Sequence, residues 1–312
     1  MIRLKRYVPA FALLALTAFA GFMRLGTSKP MDAEAFNALY DTPAPAPSTP
    51  QNVFHLGHSL VGPDMPLMVK QLAGNEHNFS SQLGWGTPLM AHWEPDETIN
   101  GFEIRNMPSG HQDAREAIAT GDYDTLVLTE MVEIRDAIKY FDSAKYLHEW
   151  VQLGRQSNPE MRIYLYETWH MLDGAEDWLE RLDNDLERYW ETEILRRAAT
   201  YEDKPEPVYI IPAGQVMAQF VREVENRGGI GPISNRSDLF SDNIHLSDYG
   251  LYLVALTHYA VLYQTSPVGL PHKLAKADGT IADDLGSEAA QLMQETVWDV
   301  VQKNTRTGVA SD

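Results

Sequence analysis

Short apolar runs of strand character alternate with longer stretches of helical period from residue 52 onward. That alternation restricts the fold more than any other feature. The strand candidates are residues 52–56, 78–83, 123–129, 161–167 and 207–211. Between and after them, apolar spacing predicts helices over 63–73, 112–120, 143–156, 176–199, 214–226, 246–263 and 287–302. Strands joined through helices pair in parallel. The reading is therefore an α/β fold, with a mostly parallel five-stranded sheet covered on both faces. Sheets of this kind hold their chemistry at the carboxyl ends of the strands.

Two segments precede that pattern. Arg3, Lys5 and Arg6 lead into an apolar run over residues 7–23, with Ala18-Phe19-Ala20 as a small-x-small cleavage site. A basic start before an apolar run is the secretory pattern. About 17 residues is also the lower limit for a membrane span. Residues 1–30 thus read as a cleaved signal peptide or an uncleaved membrane anchor, and the remainder as exported, periplasmic or extracellular. Residues 41–50 (DTPAPAPSTP) read as a stiff linker. The division expected is 1–30 address, 31–50 linker, 51–265 domain, and 266–312 a C-terminal extension whose helix packs on the domain.

Composition excludes several function classes. The formal net charge is −19, and the first 30 residues hold five basic residues and no acid. Such an acidic surface repels nucleic acid and anionic lipid, so no nucleic-acid partner is expected, and membrane contact only through the N-terminal segment. The 312 residues contain no cysteine, which rules out disulfides, thiolate metal sites and a cysteine nucleophile.

The first strand candidate runs into Gly57-His58-Ser59-Leu60, then a helix. A serine on a strand-to-helix turn is placed for nucleophilic attack, although a helix cap would use the same residue. Near the far end, Asp242-Asn243-Ile244-His245 precedes the 246–263 helix. A short turn there can aim both side chains at one place, with His245 as general base and Asp242 as its orienting partner.

Together, the Gly57-His58-Ser59-Leu60 turn and the Asp242-x-x-His245 block on a five-strand α/β pattern resemble the SGNH (GDSL-like) hydrolase superfamily. Here His58 stands where Asp or Asn is more usual. The resemblance spans about residues 51–265 and implies a flavodoxin-like α/β/α sandwich that hydrolyses esters without metal or cofactor. It implies Ser59 as nucleophile, His245 as base, Asp242 as its partner, and the N–H groups of Ser59 and Gly86 as an oxyanion hole. Gly86-x-x-Leu89-x-x-His92-Trp93 resembles a stretch of some bacterial members, and Gly84 is the alternative glycine.

The family's G-x-N-D block has no counterpart. Strand alignment puts Met131 at the Asn position, and a methionine donates no hydrogen bond. His92, Thr129 and Trp85 are the candidate substitutes, while Glu130 would oppose an oxyanion unless protonated or turned away. Trp85, Trp93 and Trp169 follow strand ends and are candidates for stacking on sugar, each with core packing as the plainer reading. His55, His58 and His92 with Glu130 have the residue types of a zinc site. Residues three apart on a strand face opposite ways, however, so no metal is expected.

The expectation is an exported serine esterase acting on small acyl esters, O-acetyl groups on carbohydrate foremost, through an acyl-serine intermediate. The alternatives are a non-catalytic carbohydrate-binding or envelope-assembly protein on the same fold, and a polysaccharide O-acyltransferase. The acyl group, the alcohol and the oligomeric state are not legible in the sequence.

Overall fold

The computed structural model describes residues 29–311 apart from 75, 108 and 109. The N-terminal address therefore lies outside the described residues. Five parallel strands form one sheet: β1 (Gln51–His58), β2 (His77–Gly84), β3 (Thr125–Leu128), β4 (Arg162–Glu167) and β5 (Tyr209–Pro212). Their order is β2-β1-β3-β4-β5. Val53, Phe54 and Leu56 of β1 and every residue of β3 are buried, as a strand covered on both faces requires. Pro212 closes β5 at the sheet edge, where a missing N–H costs no ladder bond.

Alternation sorts the strand side chains between two helical layers. His55 on β1 meets His258 of the Asp248–Tyr263 helix, with ring centroids 6.0 Å apart. On the same face Arg162 donates to Leu262 O at 3.0 Å, setting its charge at the negative end of that helix. On the other face Leu126 and Ile163 approach Gly154 of the Ser143–Ser157 helix. Helices Asp64–Leu72 and Gly286–Lys303 pack against Asp248–Tyr263. The chain thus forms a three-layer α/β/α arrangement. Among the described residues no helix is long and apolar enough to cross a membrane.

Two regions differ from the sequence expectation. The helix expected over 176–199 is α-helical only over Trp178–Asp185, then π-helical over Leu186–Leu195. Leu186, Trp190 and Leu195 are four and five residues apart, a spacing that wider i→i+5 turns bring to one face. The second difference is residues 31–50, expected as a linker outside the domain. They lie along it instead. Ala33–Ala38 is a helix with Phe36 buried, Tyr40 Oη donates to Val208 O at 2.7 Å, and Ala44 N–H donates to Gly308 O at 2.8 Å. The Arg306 guanidinium covers the Phe36 and Tyr40 rings. These aromatic anchors, not the prolines, decide where the segment goes. Phe36→Ala is expected to lower stability by about 3–5 kcal/mol, the usual cost of emptying a buried aromatic site. Urea unfolding measures it; a free tether would give no change.

Candidate active site

The strand order reverses direction at β1, which lies between β2 and β3. The crevice beyond the carboxyl ends of those strands is where a sheet of this type opens a site. Ser59 follows β1 there. Its turn is tightly held: Val61 N–H donates to His58 O at 3.0 Å, and Leu60 N–H donates to His58 Nδ1 at 3.4 Å. His58 Nε2–H then donates to Glu130 O at 2.9 Å, fastening the turn to the segment after β3. Burial pushes the His58 pKa down to about 4, so its ring is a neutral strut at neutral pH. Gly57 must be glycine, because a Cβ there would lie 2.6 Å from Thr129 Cβ.

His245 reaches the same place from the other end of the chain. Asp242 Oδ1 accepts from the N–H groups of Ile244 at 2.8 Å and His245 at 2.7 Å, closing the Asp-x-x-His turn. Its Oδ2 lies 2.7 Å from His245 Nδ1, and His245 Nε2 lies 3.0 Å from Ser59 Oγ. Hydrogen bonds from the backbone of His245 and Ile244, then from the His245 ring, hold the Asp242 carboxyl down at about 2. Ser247, not Asp242, caps the following helix by accepting from Gly250 N–H. The loop is fastened from beneath by Trp169 Nε1–H donating to Ile244 O at 2.8 Å, and by Leu172 N–H donating to Asn243 O at 3.0 Å. Ser59, His245 and Asp242 thus form one continuous hydrogen-bonded line.

Ser59 and His245 border a cavity shared with Trp85, Gly86, Arg105 and Met171. Gly86 has φ +52°, a left-handed conformation that favours glycine, and a Cβ there would touch nothing. Among the described residues no loop or turn hydrogen bond uses the backbone N–H of Ser59 or Gly86. Gly84 instead ends β2, pressed against Thr87 and Ile99. Trp85 is 48% exposed, and its own N–H is taken by Asn100 O at 2.7 Å.

Several residues expected here are elsewhere. His92 is buried, donating from Nε2 to Gly57 O at 2.8 Å and accepting from Gln82 Nε2 at 3.1 Å. Burial lowers it to about 4, and both ring nitrogens are used within the core. Thr129 is wholly buried against Gly57, with no partner for its hydroxyl. Neither lines the cavity beside Ser59. Glu130 is turned away, its Oε1 accepting from the N–H groups of Met131 at 2.7 Å and Leu89 at 3.3 Å, and burial raises it to about 7. Trp93 packs edge-on to Trp150 beneath the Arg115 guanidinium, and Trp169 is 2% exposed. Of the three tryptophans that were candidates for stacking on sugar, Trp93 and Trp169 are packed within the protein, the plainer reading, and only Trp85 borders the cavity. Among the described residues no group of three His, Cys, Asp or Glu side chains could hold a metal ion.

Sequence reasoning missed Arg105. It ends the short Phe102–Arg105 helix, which no apolar period announces, and reaches the site only through folding.

Comparison with known proteins locates the fold. No family model matches the chain, and no curated protein sequence does. Among solved structures, the chain is similar to a DUF4886 family protein from Bacteroides uniformis. The TM-score is 0.53 at 15% identity, over 80% of this chain and 94% of that one. A carbohydrate esterase family 3 protein from Talaromyces cellulolyticus is matched at TM-score 0.41 and 12% identity, over 69% of this chain and 97% of that one. At 15% identity the likeness to the Bacteroides protein is one of fold.

Proposed function

We propose that the protein is an exported serine ester hydrolase that removes small acyl groups, O-acetyl groups on carbohydrate foremost. The observation that carries this reading is the line from Ser59 Oγ through His245 to Asp242, at 3.0 and 2.7 Å. With Nδ1–H donating a hydrogen bond to the Asp242 carboxylate, the Nε2 lone pair of His245 faces the Ser59 hydroxyl and takes its proton as Oγ attacks the ester carbonyl. The ionised Asp242 stabilises the imidazolium that results. The N–H groups of Ser59 and Gly86 receive the oxyanion. His245 then protonates the departing alcohol, leaving an acyl-serine. Water attacks that ester, again giving its proton to His245, and Ser59 is restored.

The exposed face of Trp85 offers a surface for a sugar ring, through hydrophobic burial and CH contacts. The small acyl group and the secretory route follow from the sequence resemblance and the N-terminal pattern. Hydrolysis of p-nitrophenyl acetate by residues 29–312, measured beside Ser59→Ala, tests the reading. Turnover lost in the variant supports it. Equal background in both would leave a binding protein.

A further inference from the structure

The Arg105 side chain is the one charged group of the cavity without a partner among the described residues. Its guanidinium makes no ion pair or hydrogen bond, and its Nε is buried and unsatisfied. The two carboxylates on the adjoining wall are engaged elsewhere: Asp242 with His245, and Asp64 with Ala277 N–H at 2.7 Å. The position is held firmly. Asn106, the next residue, pairs with Leu83 at the end of β2, accepting from its N–H at 3.0 Å and donating to its O at 2.7 Å. At the other end of the helix, Gly101 lies flat against the Trp85 ring, so close that a Cβ would collide with it. The short helix is thus fixed to the strand that leads to Gly86. Desolvation pulls the guanidinium pKa below its usual value, the signature of a cation with water withdrawn and nothing in its place. In a chain with 44 acidic residues, an unpaired arginine beside the reacting serine is left open to something that is not protein.

We propose that Arg105 receives an anionic oxygen group of the substrate, so that the preferred ester carries a single carboxylate or sulfate near the acyl group. The inference rests on ester hydrolysis at Ser59. A guanidinium fork matches such groups in two parallel hydrogen bonds, while the apolar faces of Trp85 and Met171 cover the rest of the substrate. The net charge of −19 disfavours a polyanion, which would feel the field of the whole surface, whereas a monoanion loses less to it than it gains at Arg105.

The test compares 4-acetoxybenzoate with its methyl ester, which has the same acyl group and a neutral alcohol portion. The wild type is expected to favour the carboxylate in kcat/KM. Arg105→Gln should lose about 10–100-fold on the carboxylate, chiefly in KM, while the neutral ester changes by less than about threefold. Arg105→Lys should keep part of the preference. 4-Acetoxybenzenesulfonate reports which of the two anions fits better. Equal loss on both esters, or no wild-type preference, overturns the proposal. If neither ester is turned over, the esterase reading fails separately. Calorimetric titration with 4-hydroxybenzoate then decides about Arg105. Binding to wild type and not to Arg105→Gln supports the anion site, and no binding to wild type overturns it.

Discussion

Ser59→Ala, His245→Ala and the double variant are expected to fall to one common residual rate, about 10³–10⁶ below wild type. The loss is not additive because the three side chains act as one relay. Without His245, the Ser59 hydroxyl keeps its proton and is a weak nucleophile. Without Ser59, the imidazole has nothing to activate. Asp242→Asn leaves a side chain of the same size and an oxygen for the N–H groups of Ile244 and His245. It removes the charge that stabilises the imidazolium and presents an amide where Oδ2 accepts from Nδ1. It should cost less than loss of His245, since Asp242 is exposed and water replaces part of its role. Hydrolysis of p-nitrophenyl acetate across the four variants checks the ordering. Losses that multiply in the double variant would mean that the two residues act independently.

A second large effect concerns acid. His55, His58, His77, His92, His170 and His258 are all buried. Desolvation pushes each below the ordinary value of 6.5: His58, His92, His170 and His258 to about 4, His77 to about 3, and His55 also downward. As pH falls below about 6.5 the unfolded chain takes up these six protons, while the folded chain takes them up only at lower pH, four of them at about 4. Stability is therefore lost over that window. Glu130 and Glu167 run the opposite way. Burial raises them to about 7 and about 8, so their contribution is present below 4.5 and lost as pH rises through those values. Six groups against two leave the acid side dominant. At ~1.4 kcal/mol per unmatched proton per pH unit, the net slope is about 6 kcal/mol per unit at its steepest. Domains are stable by about 5–15 kcal/mol, so cooperative unfolding is expected at about pH 4–6. Thermal melts followed by circular dichroism should show a Tm maximum near neutrality and a steep fall below pH 6.5. A Tm unchanged from pH 7 to 4.5 would contradict this.

The elements that carry the fold were legible because their signals are local. The runs Val53–Leu56 and Thr125–Leu128 are apolar except for His55 and Thr125, as strands covered on both faces require. Ser59 and the Asp242–His245 turn were legible because strand–turn–helix chemistry is written in consecutive residues. What could not be read depends on packing between distant segments. Thr129 and Trp169 stand just past strand ends, and His92 and Trp93 on the short helix after β2, but place along the chain does not say which way a side chain faces. Neighbours such as Gly57, Trp150 and Ile244 turn them inward. Arg105 stands on a four-residue helix with no period, and only the Asn106–Leu83 pairing brings it to the cavity. Residues 31–50 were misread because four prolines outweighed two aromatic anchors whose sockets lie about 160 to 270 residues away.

The most direct test of the account is covalent. A fluorophosphonate reacts with a serine only when a neighbouring base has activated it, and the adduct is located by peptide mass spectrometry. The account predicts one adduct, on Ser59, in the wild type, and none in His245→Ala under the same conditions. No adduct on Ser59, or labelling of Ser59 that persists undiminished without His245, would contradict it.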